Sequence, residues 1–201
     1  MKIEALIFDI GNVLVRFDWK LAEEQFRSRS GKDTKEARKE LLILKERLEL
    51  GRISPEAFVE QAIRIVDFRG GFDDFTTIWN SIFFSNEPME KSVAQLRKSL
   101  PLYLLSNTSE LHLGFLRKRF QILRHFSDGV YSFRVECAKP DRQIFEIATR
   151  QFGITPARTI YVDDLAINVE SAAGFGFHAI RYEWVKHSEF QEKLAGLITP
   201  S

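Results

Sequence analysis

Three apolar runs in this 201-residue chain end on groups able to do chemistry. IEALIF runs into Asp9, PLYLL into Ser106-Asn107-Thr108, and TIYV into Asp163-Asp164. Lys139, just before Pro140, adds a cation at a helix start. Two carboxylates closing a buried strand are costly unless a cation sits beside them. Asp163-Asp164 therefore points to cation binding, against the blander reading of a polar loop pair. Gly11 and Asn12 follow Asp9 and tolerate tight or left-handed backbone. Asp9 thus has the position of an active-site residue, its competing role being to cap the following turn. Ser106 could serve as a cap for the helix near Ser109, a role compatible with ligand binding. Lys139 could be a solvated surface charge.

These groups need strands to carry them. Short, almost wholly apolar runs with β-branched and aromatic members suit strands covered on both faces. From Pro88 onward strands and helices alternate. Helices are expected over Glu90–Leu100, Ser109–Phe120, Pro140–Phe152, Ala166–Phe175 and Ser188–Leu197, with short strands at Gly129–Phe133 and His178–Tyr182. That rhythm implies an α/β fold with a doubly wound parallel sheet, in which ligands sit at the carboxyl ends of strands. Between Trp19 and Phe84 no strong strand signal appears. Four helical patterns fill it: Trp19–Arg29, one capped near Asp33 or Thr34 and stopped by Gly51, one opened by Ser54-Pro55, and Phe72–Phe84. They read as a small helical bundle inserted after the first strand. Six of the 18 Phe lie between Phe58 and Phe84, most simply as core of that bundle.

Composition excludes several classes. Twenty-nine basic and 28 acidic residues leave a formal charge of +1, so there is no electrostatic case for nucleic acid or an anionic membrane. No run approaches the ~18 apolar residues a membrane span needs. The start, Met1-Lys2-Ile3-Glu4, does not read as a secretory leader. A single cysteine, Cys137, excludes an intramolecular disulfide and a cysteine-rich zinc site. A cytoplasmic location is expected, with Cys137 as a packing residue. His112 and His178 read as packing or surface residues.

The order and spacing of these motifs resemble the haloacid dehalogenase superfamily, mostly phosphatases with a Rossmann-like core. Asp9-Ile10-Gly11-Asn12-Val13 corresponds to its first motif, Ser106 to the second, Lys139 with Pro140 to the third, and Asp163-Asp164 with Asn168 to the fourth. Within it, LIFDIGNVLV, LLSNT, AKP and VDDLAIN are most similar to bacterial α-D-glucose-1-phosphate phosphatases. The resemblance implies a core over residues 1–16 and 87–201 and a helical cap over residues 17–86, with hinges near Val15–Asp18 and Ser85–Pro88. It implies Mg²⁺ held by Asp9, the carbonyl of Gly11 and Asp164, with Asp163 assisting and Asn168 orienting Asp164. Asp9 would attack phosphorus, Lys139 would offset charge, and Ser106 with backbone N–H groups near Asn107 would hold phosphoryl oxygens. The partner would be a small phosphorylated metabolite such as a sugar phosphate. The oligomeric state stays open.

The motif has one gap. The family carries a second Asp two residues after the nucleophile, to protonate the leaving group, and here that position is Gly11. Such acid–base groups typically contribute ~10²–10⁴-fold. Three explanations compete: an acidic leaving group such as an anomeric hydroxyl, a proton from the cap or from water, or a phospho-ligand binding protein with little turnover. Asp18 is expected to lie past the loop. A 2-haloacid dehalogenase also lacks that Asp, but the paired Asp163-Asp164 favours phosphate and metal.

Overall fold

The computed structural model describes residues 2–198. The first strand, β1 (Ala5–Phe8), is buried at every position. There follow β2 (Val15–Phe17), α1 (Lys20–Arg29), α2 (Lys35–Glu49), α3 (Pro55–Val66), α4 (Phe72–Asn80), β3 (Phe83–Ser85), α5 (Glu87–Leu96), β4 (Leu102–Ser106) and α6 (Glu110–Arg119). The remainder is β5 (Asp128–Tyr131), α7 (Ser132–Val135), α8 (Arg142–Phe152), β6 (Thr159–Asp163), α9 (Ala166–Phe175), β7 (His178–Arg181) and α10 (His187–Ile198).

Five strands form one parallel sheet in the order β5-β4-β1-β6-β7. Side chains alternate across it because the strand period is two. Leu6 and Phe8 join Leu104, Val162, Met89, Leu113 and Phe190 on one face. Ile7 joins Leu105, Tyr161, Ile144, Phe145 and Ala172 on the other. Helices cover both faces, which is why the strands read as unbroken apolar runs. The expected α/β doubly wound sheet is the observed fold. Because β1 lies between β4 and β6, the strand ends carrying Asp9, Ser106 and Asp163 are neighbours.

Helices α1–α4 build a separate buried cluster from Ala22, Leu44, Leu48, Phe58, Phe75 and Trp79, among others. Phe58, Phe68 and Phe75 are buried in it, whereas Phe72 is exposed. Local signals set the helix ends. Ser54 accepts from the N–H of Ala57, with Pro55 opening α3. Gly153 and Gly176 end α8 and α9 in left-handed conformation.

Some boundaries depart from the sequence reading. Thr34, not Asp33, caps α2 by accepting from Ala37. Asp33 is instead drawn to Arg38, at 2.6 and 2.8 Å. The last insert helix stops at Asn80, and Phe83–Ser85 pairs antiparallel with Val15–Phe17. Three-residue strands are too short to show a period. Helix α5 begins at Glu87, with Pro88 in its first turn, and not at Glu90. Residue 1 and residues 199–201, the ends of the expected core segments, lie outside the described residues. No described helix is long and apolar enough to cross a membrane.

Candidate active site

Asp9 follows β1 and is nearly buried at 8 % exposure. Its backbone N–H donates to Val162 at 2.9 Å, which ties the loop to β6. Lys139 reaches in from the segment before α8, its side chain 1 % exposed. Its ammonium donates to Asp163 Oδ2 at 2.7 Å and to the Leu105 carbonyl at 2.9 Å. It also stands 3.0 Å from Asp9 Oδ1. That last contact is an ion pair without hydrogen-bond alignment, so Asp9 Oδ1 is buried with no hydrogen bond.

Asn107 holds Lys139 in place. Its Oδ1 accepts from the Lys139 N–H at 2.8 Å and its Nδ2 donates to the Lys139 carbonyl at 2.9 Å. The Asn107 side chain is therefore committed to the protein. Ser106, 2 % exposed, ends β4 and shares a small cavity with Gly11 and Asn107. The Thr108 N–H is also taken, donating to Ser132 Oγ at 3.0 Å.

The two carboxylates after β6 differ. Asp163 is fully buried. It accepts from Lys139, from the Tyr161 hydroxyl, from the Leu165 N–H at 2.9 Å and from Asn168 at 3.0 and 3.2 Å. Asp164 is half-buried and accepts from Asn12 Nδ2 at 3.2 Å. Asn168 thus holds Asp163, where the sequence reading had it orient Asp164. Asn12 takes that part, and no sequence signal singled it out beyond its tolerance of left-handed backbone. It adopts φ 52° and also accepts from the Phe17 N–H at 3.2 Å.

The electrostatics follow burial and charge. Burial pushes the Asp9 carboxyl up to about 6, helped by Asp163 and Asp164 and opposed by Lys139. Burial also raises Asp164, with Asp163 adding to it. Burial would raise Asp163 as well, but Lys139 and the donated hydrogen bonds hold it below the usual carboxylate range. Burial would lower Lys139, but Asp9 and Asp163 outweigh it and raise the ammonium. One buried cation thus stands against three carboxylates whose oxygens come within 4.8 Å of one another. The hydrogen-bond-free oxygen of Asp9, the raised Asp9 and Asp164, and the all-oxygen donor set fit a hard divalent cation such as Mg²⁺.

His112 lines the same small cavity as Ser106 and Asn107, whereas His178, Asp18 and Cys137 do not. His112 is buried against Trp79 with its pKa pushed down to about 3, first by burial and then by Lys45. It stays neutral at physiological pH. His178 lies at the start of β7, within 2.9 Å of the Ala157 carbonyl. Asp18 accepts from the Lys20 N–H at 2.9 Å, where α1 begins. Cys137 is buried, and burial pushes its thiol up.

The profile of the haloacid dehalogenase-like hydrolases matches residues 3–176. A D-ribitol-5-phosphate phosphatase of Bacteroides thetaiotaomicron is 25 % identical over 191 residues, covering 90 % of this chain and 92 % of the relative. A haloacid dehalogenase family enzyme of the same organism, solved with magnesium and inorganic phosphate, superposes with a TM-score of 0.81 at 25 % identity, covering 90 % of this chain and 94 % of that one. The structure of a predicted haloacid dehalogenase-like hydrolase from Porphyromonas gingivalis covers all of both chains with a TM-score of 0.84 at 23 % identity, a likeness of fold.

Proposed function

Since the chain belongs to the haloacid dehalogenase-like hydrolase family, we propose that it is a Mg²⁺-dependent phosphatase acting on a small phosphorylated metabolite, with a sugar or sugar-alcohol phosphate as the favoured class. The observation that carries this is the meeting of Asp9, Lys139 and Asp164 at the carboxyl ends of adjacent strands, around a net negative charge. The relative's activity on a sugar-alcohol phosphate supports the substrate class. Glucose 1-phosphate, the closer suggestion of the sequence motifs, belongs to the same test.

Asp9, the Gly11 carbonyl and Asp164 would hold the metal. When bound, Mg²⁺ neutralises charge between the carboxylate and the phosphate so that two anions can meet. Asp9 attacks phosphorus as the bond to the leaving oxygen breaks, giving an aspartyl phosphate, and the leaving oxygen takes a proton from solvent water to depart as the alcohol. A second water then attacks phosphorus, giving up a proton to solvent as the Asp9–phosphorus bond breaks, and inorganic phosphate leaves. Lys139 offsets charge on Asp9 and the phosphoryl oxygens, and Ser106 with the Asn107 N–H holds another oxygen. Asp163, its oxygens already occupied, keeps Lys139 oriented, and Asn168 keeps Asp163. The insert over residues 17–86 acts as the cap, hinged where β2 and β3 pair. A cytoplasmic protein accords with the lone, buried Cys137.

The test is a panel of sugar phosphates, sugar-alcohol phosphates, nucleotides and 4-nitrophenyl phosphate, assayed with Mg²⁺ and with EDTA. Turnover that requires Mg²⁺ and disappears in Asp9→Asn is the expected result. Chloride release from 2-haloacids that resists EDTA would make it a dehalogenase. A second reading, a phospho-ligand binding protein, is favoured by the missing acid at Gly11. Saturable binding of one compound with turnover of none would establish it.

A further inference from the structure

A cavity of about 90 Å³ opens beside the phosphate loop, reaching Ser106 and Asn107 on one side and the rings of Phe17 and Trp19 on another. Lys45 and Glu49, from α2, also line it, with Phe83 and His112 beyond. They form an ion pair at 2.7 Å, each side chain 27 % exposed. Stability does not account for the pair. An i,i+4 pair contributes ~0.3–0.5 kcal/mol at best, and Lys placed before Glu is the weaker order along a helix. Two charges nevertheless line a cavity shared with Ser106 and Asn107, with the Lys45 ammonium 6.0 Å from the centre of the Trp19 ring.

The pair is also held firmly to the core. Ser132 Oγ donates to the Glu49 carbonyl at 2.6 Å and accepts from the Thr108 N–H at 3.0 Å. One hydroxyl thereby links the end of α2 to the loop after β4. At Gly51 the backbone turns with φ +67°, and an added Cβ would stand 2.0 Å from the Phe133 carbonyl oxygen. No side chain larger than hydrogen fits there. Site residues held on a rigid helix by a fixed contact are what selectivity requires.

We propose that Lys45 and Glu49 determine specificity by reading hydroxyl groups on the carbons next to the ester oxygen. A carboxylate accepts from a hydroxyl and an ammonium donates to one, while Phe17 and Trp19 cover the carbon skeleton. The substrate class is a polyhydroxylated phosphomonoester. A site built to bond hydroxyls discriminates against an analogue lacking them, because the analogue then desolvates the Lys45–Glu49 pair further with no ligand hydrogen bond to offset it. This inference rests on the phosphatase reading.

The experiment compares a pentitol 5-phosphate with n-pentyl phosphate, both primary esters of five carbons, in the wild type, Lys45→Met and Glu49→Gln. The readout is the ratio of the two kcat/KM values, which cancels any loss of folded protein. The expected wild-type ratio favours the pentitol ester at least 10-fold. Each variant should bring it down by 10- to 100-fold, through KM more than kcat. A wild-type ratio near one, or variants that keep the wild-type ratio, overturns the inference and leaves the phosphatase standing. Absence of turnover of either ester and of 4-nitrophenyl phosphate overturns both.

Discussion

The ring of Phe17 occupies the space that a side chain on Gly11 would need: a Cβ there would lie 2.9 Å from Phe17 Cε1 and 3.3 Å from Cδ1. Strand β2 brings that ring back over the loop after β1, and the same ring packs edge-on to Phe83 of β3 at 6.1 Å. The family's second aspartate is thus more than missing; the space beside Gly11 is taken by the partly buried ring of Phe17. Gly11→Asp should destabilise the fold by roughly 1–3 kcal/mol, the usual range for overpacking. Adding Phe17→Ala should recover part of that loss. Urea unfolding of both variants decides it, and a Gly11→Asp protein as stable as wild type would refute the crowding.

Asp9 is expected to be essential and, without metal, destabilising. Its carboxyl is raised from the ordinary 3.8 to about 6. A raised carboxyl contributes stability below its unfolded value and loses it as pH rises through the folded one, so at neutral pH the ionised group works against folding. A shift of this size corresponds to about 3 kcal/mol. Asp9→Asn should abolish turnover and, in EDTA at pH 7.5, melt above the wild type. At pH 4 the stability difference should vanish.

The same group sets the pH dependence of metal binding. Below about pH 6 a proton occupies Asp9, and cation binding must displace it. Apparent Mg²⁺ affinity should be flat near pH 7.5 and fall by up to tenfold per unit of pH below 6. Calorimetric titration across that range gives the slope. An affinity independent of pH down to 5 would remove Asp9 from the metal site.

Lys139 is the one buried cation seen among these carboxylates in the described residues. Removing it would leave Asp9 and Asp163 facing each other uncompensated. Breaking a buried pair by deleting one partner costs ~3–5 kcal/mol. Lys139→Met should lose about that much, and Lys139→Met with Asp163→Asn should regain part of it. Denaturant titration of the single and double variants measures the coupling.

Much of this arrangement is legible in the sequence, for a physical reason. Asp9, Ser106 and Asp163 each end a run apolar on both faces, and parallel strands put such ends on one edge. Helix limits marked by Ser54, Gly153 and Gly176 are equally local. What escapes is whatever depends on which element folds back over which. Phe17 over Gly11, Asn168 on Asp163 and not Asp164, and the Asn107–Lys139 clasp all join side chains whose meeting no periodicity encodes. Lys45 and Glu49 carry no signal of their own in the sequence; their place beside the loop after β4 comes from the docking of α2, tied there by Ser132 on the Glu49 carbonyl.

Asn12 offers a way to separate backbone from side chain in this loop. Its φ of 52° lies where glycine is at ease and most side chains are strained. Its amide spans two elements, donating to Asp164 Oδ2 and accepting from the Phe17 N–H. Asn12→Ala loses both contacts and adds the left-handed penalty of ~1–2 kcal/mol, so stability and metal affinity should fall together. Asn12→Gly loses the same contacts but keeps the conformation, so it should stay within about 1 kcal/mol of wild type. Partners that orient a metal ligand are typically worth 10–100-fold in affinity, and Asn12→Gly should weaken Mg²⁺ by that factor. Melting curves with parallel Mg²⁺ titrations separate the two effects. An Asn12→Gly protein with wild-type affinity would mean that Asp164 is placed by β6 alone.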